Sequence, residues 1–417
     1  MATRSTPQAA ASAPRYLVPF ITVTILFGIF GFLTSLNNTL VAKLEEVFKL
    51  THGPAMLATA AWFFAYLVFS VPSAKLIEAV GYKRTMVISL FIMVAGALLF
   101  IPAANLVSFP VTLTAIFVLA TGVCALQTAA NPYVSILGPE HSAPARLTLA
   151  QAFNSLGSFV APLIAARFIL ANPGKSFTAV SDAHMLQGPY IAIAAALVLL
   201  GIAVMFMNLP AITPARTLHP AEGGGPLQER NIWTYSHTVL GMVGIFFYVG
   251  VEIALAAITI QYCQAQGISS VETAGLLLTL YYVGMMVGRF IGSFIMTWIK
   301  AERLLLVLGF LGVVLLLVSM FSRGQVAIWS LVLCGLANSV MYPNIFALGI
   351  AELGPMTSKG SGVITIGNVG GAVIPPLFGL LADKIGIQFA FVIPMIGYLY
   401  VAYYGLSGYK PSRVPLA

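Results

Sequence analysis

Charge is what this sequence has least of. Asp, Glu, Lys and Arg make up 8% of its 417 residues, against about one quarter in an ordinary soluble domain. Hydrophobic residues make up 59%, and the mean hydropathy is +0.96. In water such a chain would expose apolar patches that no monomer tolerates, so a water-soluble fold is excluded and lipid is the solvent. Cysteine is almost as scarce. Cys124, Cys263 and Cys334 all sit inside apolar runs, with no CxxC and no Cys/His spacing, which excludes a disulfide framework and a thiolate metal site. They read as small packing residues. The five histidines fall in loops or at the ends of apolar runs, and no serine has a nearby base. A membrane enzyme has nothing to work with, and no cofactor or metal is expected. The net charge of +8 is scattered one or two residues at a time, without a basic stripe or an aromatic–basic module, so nucleic acid is not an expected partner.

What is present is apolar length. A spanning helix needs about 20 mostly apolar residues, and polar or Pro/Gly punctuation cuts the chain into twelve such runs. They begin near Leu17, Pro54, Thr85, Phe109, Leu147 and Pro189, then near Thr238, Val271, Leu304, Val326, Gly360 and Ile387. Residues 210–236, with TPARTLHPAEGGGPLQER at their heart, cannot bury apolar area and read as a flexible linker. The expected fold is therefore an all-α membrane protein of two six-helix bundles. Residues 1–16 form a polar tail, 17–209 the first bundle, 210–236 the linker, 237–408 the second bundle and 409–417 a second tail.

Lys and Arg set the orientation. Arg4, Arg15, Lys75, Lys83, Arg84, Arg146, Arg216, Arg230, Lys300, Arg303, Lys359, Lys410 and Arg413 fall on one face. Lys43, Lys49, Lys175, Arg323 and Lys384 fall on the other. Both termini and the linker are thus expected in the cytoplasm.

A repeat underlies the two halves. CALQTAANPYVSILGPE and AQAFNSLGSFVAPL, in spans 4 and 5, are echoed by CGLANSVMYPNIFALGIAELGP and TIGNVGGAVIPPL in spans 10 and 11. Parallel six-span repeats imply a two-fold axis along the membrane normal, with a binding site between the halves. Alternating access follows from that arrangement.

Polar residues deep in apolar runs are costly and usually face the bundle interior. Asn37, Asn38 and Thr39 lie in span 1, Gln127 and Asn131 on one face of span 4, and Gln151 and Asn154 on one face of span 5. Tyr248 and Glu252 share a face of span 7, span 10 carries Asn338, Tyr342 and Asn344, and span 11 carries Asn368. Amides offer donors and acceptors together, which suits the hydroxyls of a neutral sugar. Trp62, Phe64, Tyr281 or Tyr282 could cover its C–H faces. An anionic substrate would require deep Lys or Arg, and the one candidate, Arg289, reads as a tie between helices. Amides also serve as interhelical glue. Asn131 and Asn368, beside Pro or Gly, are expected to satisfy freed backbone groups. Glu252 is the one carboxylate placed well inside a span. It could exchange a proton, ligate sodium, accept a sugar hydroxyl, or simply bond a neighbouring helix.

FGFLTSLNNTL, LQTAANPYVSILGPE with ARLTLAQAFNSLG, YVGVEI and YPNIFALGIAELG resemble the fucose–galactose–glucose symporters of the major facilitator superfamily, from span 1 to span 11. The resemblance places sugar contacts at Asn38, Gln127, Gln151 and Asn154, with Asn338 and Glu252 completing the expected site, and supports Glu252 as the ion-coupling residue. The family's fucose-type members carry carboxylates where this chain has Asn38 and Gln127. Gln127 and Glu252 match the glucose/galactose branch. AKLIEAVGYKR resembles the superfamily's cytoplasmic latch loop, with Glu78, Gly81, Lys83 and Arg84 at its key positions. The resemblance implies a monomeric hexose transporter of the bacterial inner membrane, taking glucose, galactose or fucose and coupled to protons, with sodium as the alternative ion. An N-acetylglucosamine carrier, an uncoupled facilitator and a drug or lipid exporter on the same fold are the alternatives.

Overall fold

The computed structural model describes residues 13–47, 52–106, 108–168, 187–207, 209–210 and 231–411, without the side chains of residues 13–15, 37–47, 52–56 and 165–168. Among the described residues there is no strand. Twelve helical segments are long and apolar enough to cross a membrane, in chain order Tyr16–Leu36, Leu57–Val80, Tyr82–Asn105, Phe109–Ile136, Glu140–Ile164, Gln187–Phe206, Ser236–Ala265, Val271–Ile295, Ala301–Phe321, Gly324–Gly349, Gly354–Ile385 and Ile387–Gly408. They are spans 1 to 12 below. Residues 1–12, 211–230 and 412–417, which make up most of the expected tails and linker, lie outside the described residues.

Lipid offers no hydrophobic drive between helices, so close backbone approach and buried hydrogen bonds must hold the spans together. Both bundles use the same device at equivalent places. A Cβ on Gly157 of span 5 would lie 2.0 Å from the Gly28 carbonyl of span 1, and one on Gly370 of span 11 would lie 1.9 Å from the Phe246 carbonyl of span 7. Only glycine permits either contact. Aromatic packing does the rest: Phe100 stacks on Tyr190 at 4.3 Å between spans 3 and 6, while Tyr262 donates to the Ser319 carbonyl at 2.7 Å between spans 7 and 9.

Spans 10 and 11 are broken where their counterparts in the first bundle are not. Span 10 is helical over Gly324–Asn338 and again over Met341–Gly349. Span 11 is helical over Thr357–Ile366, turns through a 3-10 segment at Gly367–Val369, and resumes over Gly370–Ile385. Irregular backbone at this depth is tolerated only where protein or a polar cavity surrounds it, and here the span 10 break packs on Gly288 and Gly292 of span 8 and the span 11 break on span 7.

The bundles meet along spans 2 and 11 and along spans 5 and 8. Ser361 donates to the Thr128 carbonyl at 2.7 Å, and Ser358 to Glu78 Oε1 at 3.3 Å. Lys359 Nζ stands 3.9 Å from the same carboxylate. The Glu352 backbone N–H, in a left-handed residue with φ 57, donates to Glu140 Oε1 at 3.0 Å. A Cβ on Gly362 would lie 2.6 Å from the Ala74 methyl. All of these contacts lie toward the side on which spans 2, 4 and 10 end, so the structure is closed on that side.

Candidate substrate-binding site

The first bundle's amides are held as a network. Tyr66 of span 2 donates to Gln127 Oε1 at 3.2 Å, and Gln151 Nε2 donates to Asn131 Oδ1 at 3.3 Å. Gln127 thus links spans 2 and 4, and Gln151 links spans 5 and 4. Gln127 also borders a small recess otherwise lined by Leu26, Phe27, Phe30, Leu126 and Ala130. At about 10 Å³ the recess has room for a water but not for a sugar ring. Asn154 is placed differently: its Nδ2 donates to the Phe27 carbonyl at 3.1 Å, tying span 5 to span 1. Asn38 lies within the helix Ala13–Val47, but its side chain is outside the described residues.

The second bundle contributes a polar cluster with spare capacity. Asn338 is fully buried and donates to the Tyr281 hydroxyl at 2.7 Å. Its own Oδ1 accepts nothing, while the buried Tyr248 hydroxyl lies beside Glu252 and the buried Tyr342 hydroxyl beside Asn368 and, across the seam, Asn131. Tyr248 and Tyr342 face one another with ring centroids 6.1 Å apart. Glu252, half-buried, sits beside the Tyr248 hydroxyl and within electrostatic reach of Arg289. It is the one carboxylate near the middle of a span among the described residues.

Two expectations from sequence divide here. Asn368 does satisfy freed backbone, donating to the Thr365 carbonyl at 2.8 Å. Asn131 does not: its Oδ1 serves Gln151, and its Nδ2 is buried and unpartnered. Pro132 lies inside the continuous helix Phe109–Ile136, and the buried Asn131 amide turns to the next span instead. Of the aromatic candidates, Tyr281 is buried against Asn338, and Phe64 packs on Phe117 at 6.1 Å within its own bundle.

Of the latch residues, Glu78 reaches the other bundle through Ser358 and Lys359. Gly81, with φ 81, makes the turn between spans 2 and 3. Lys83 instead donates to the Met205 carbonyl of its own bundle at 2.8 Å, and Arg84 is exposed.

Tyr66 escapes a reading of the sequence because a tyrosine in WFFAYLVFS looks like one more aromatic. The available signal is Ser70 four residues on, which makes a polar pair on one helix face. Arg289 is the other residue whose reach was hidden. Its Nε donates to the Ser339 carbonyl at 3.1 Å, tying span 8 to the break in span 10. Its Nη1 reaches the Gln151 carbonyl at 3.4 Å and the Ser155 hydroxyl, both in span 5 of the other bundle.

Comparison with known proteins places this arrangement. Residues 23–368 match the Major Facilitator Superfamily. The glucose/galactose transporter of Brucella abortus is 40% identical over 403 residues, 96% of each chain. The L-fucose-proton symporter of Escherichia coli is 31% identical, over 94% of this chain and 93% of its own. The crystal structure of FucP, a Major Facilitator Superfamily transporter, in the outward conformation superposes with a TM-score of 0.84 at 29% identity, over 94% of this chain and 99% of that one. The chain belongs to the Major Facilitator Superfamily, within its group of glucose/galactose and fucose transporters.

Proposed function

We propose that this chain carries a neutral hexose, of the glucose, galactose or fucose kind, by alternating access between its two bundles. The observation that carries the reading is the set of amides and phenols where the bundles meet. Gln127, Asn131 and Gln151 stand on one side, and Tyr248, Asn338 and Tyr342 on the other, with the Asn131 Nδ2 and the Asn338 Oδ1 unpaired. Buried polar groups are almost always bonded, and a ligand that both donates and accepts would bond these. Arg289 is the one guanidinium among them, and carbonyls and a hydroxyl occupy it, so a carboxylate or phosphate would find no free cation. The relatives are transporters of sugars by name, and this chain is a transporter rather than an enzyme.

Substrate contacts are assigned to Asn38, Gln127, Gln151, Asn154, Glu252 and Asn338, with Asn154 also tying span 5 to span 1. Glu252 is the proposed proton site, and Glu78, Gly81, Lys83 and Arg84 form the proposed latch, with Glu78 making its cross-bundle contact. The bundles comprise residues 17–209 and 237–408, joined by a cytoplasmic linker at 210–236, in a monomer of the bacterial inner membrane with both termini in the cytoplasm. The Lys/Arg bias supports that orientation. The test is counterflow in proteoliposomes with glucose, galactose, fucose, mannose and N-acetylglucosamine, with and without proton and sodium gradients. Exchange of at least one hexose, accumulated under a proton gradient, is expected. Exchange of none would overturn the reading.

A further inference from the structure

Arg289 is 9% exposed and forms no ion pair among the described residues. A buried guanidinium is costly unless its donors are all used, and here they are spent on both bundles. The Nε–Ser339 bond at 3.1 Å satisfies a carbonyl freed by the break between Asn338 and Met341. Gly288, next to it, lets span 8 press onto that break, since a Cβ there would lie 2.5 Å from the Ser339 hydroxyl. The other arm crosses to span 5, to the Gln151 carbonyl at 3.4 Å and the Ser155 hydroxyl. Ser155 in turn donates to that same Gln151 carbonyl at 3.0 Å. Gln151 therefore offers its side chain to the amide network and its backbone to Arg289. Beside the contact, Phe153 and Phe290 pack edge to face across the same seam at 5.7 Å.

We propose that Arg289 is a positioning residue that locks the two bundles together on the closed side, joining the break in span 10 to the backbone of Gln151. This rests on the alternating-access reading. Opening that side must break the arm to span 5 while the arm to Ser339 stays within its own bundle. Glu252, in the same bundle and within electrostatic reach, stays beside the cation after separation. Hydrogen bonds to a charged donor stabilise by roughly 1.5–3 kcal/mol, enough to shift a two-state opening equilibrium at least about tenfold.

The readout is labelling of Ser361→Cys, a position fully buried at the seam on the closed side, by a membrane-impermeant maleimide in inside-out vesicles without sugar. The native cysteines are buried and serve as the background. Arg289→Met is expected to raise the labelling rate at least about tenfold. Arg289→Lys, lacking the planar fork, should fall between. Ser155→Ala is the deciding variant, because it leaves the Ser339 bond intact. A lock predicts faster labelling in the same direction, by less than in Arg289→Met because the Gln151 carbonyl contact remains, whereas a purely structural arginine predicts no change. Unchanged labelling in both Ser155→Ala and Arg289→Lys would overturn the lock, even if Arg289→Met misfolds. Sugar counterflow on the same vesicles keeps the two proposals apart, since either can fail while the other holds.

Discussion

The two bundles carry the same repeat and treat it differently. In the first, Pro132 lies inside an unbroken helix from Phe109 to Ile136, and the amides bond each other and span 2. In the second, helix stops at Asn338 and restarts at Met341. Pro343 then occupies the first turn of a new helix, where its missing N–H costs nothing. The break frees the Ser339 carbonyl, which Arg289 takes, and beside it Asn338 and Asn344 each keep an unpaired side-chain oxygen. Both halves keep buried unpaired polar atoms, such as Asn131 Nδ2 in the first and Asn338 Oδ1 and Asn344 Oδ1 in the second, but only in the second do they flank a helix break. Pseudo-symmetry in the fold therefore need not mean symmetry in the chemistry.

That contrast can be broken by substitution. The largest effect is expected from Glu252→Gln, which removes the proposed proton site of the second bundle. Gradient-driven accumulation should be lost while counterflow persists, as read by sugar uptake with an imposed pH difference; accumulation that survives would release Glu252 from that role. Next comes Gly362→Leu, which drives a side chain into the Ala74 methyl and the Ser70 carbonyl. Overpacking of this kind costs about 1–3 kcal/mol, so the closed state should be depleted by roughly five- to a hundredfold, visible as faster maleimide labelling on that side.

Removing an amide should weaken apparent affinity in both bundles and strands a buried partner in each, the Asn131 Oδ1 in the first and the Tyr281 hydroxyl in the second. Gln151→Ala loses sugar bonds worth about 0.5–1.5 kcal/mol, a threefold to tenfold rise in the half-saturating sugar concentration. Asn338→Ala also strands the buried Tyr281 hydroxyl, adding about 1–3 kcal/mol of destabilisation, detectable as a lower Tm in detergent. The smallest effect separates the prolines. Pro132→Ala, within a helix, should change thermal stability or turnover measurably, whereas Pro343→Ala should leave both nearly unchanged. Equal effects would mean that the break is not what distinguishes the halves.

The spans were legible because lipid imposes a length and a composition that a chain cannot meet by accident, and the likeness of spans 4 and 5 to spans 10 and 11 announced the two-fold plan. The polar residues that matter were largely visible for the same reason: in apolar runs, Gln127, Gln151, Glu252 and Asn338 stand out by cost alone. Their partners were not. Tyr66 is inconspicuous among aromatics, and Ser155, Ser339 and Ser361 are inconspicuous in helices rich in small residues. Arg289 was readable as a tie between helices but not as a tie between bundles, because the contact joins residues 134 apart. The break in span 10 was equally hidden: ANPYV and MYPNI look alike, and only packing against span 8 decides which of them interrupts its helix.

The central claim is that sugar passes only when the bundles part, and a removable crosslink across the seam tests it most directly. Ser358 and Glu78 are in contact between spans 11 and 2, so Glu78→Cys with Ser358→Cys places two thiols across the seam, while the native cysteines stay buried. Bridging the two thiols with a short reducible bis-methanethiosulfonate reagent should abolish counterflow of a transported hexose, and reduction should restore it. Undiminished counterflow through the fully crosslinked protein would contradict the account.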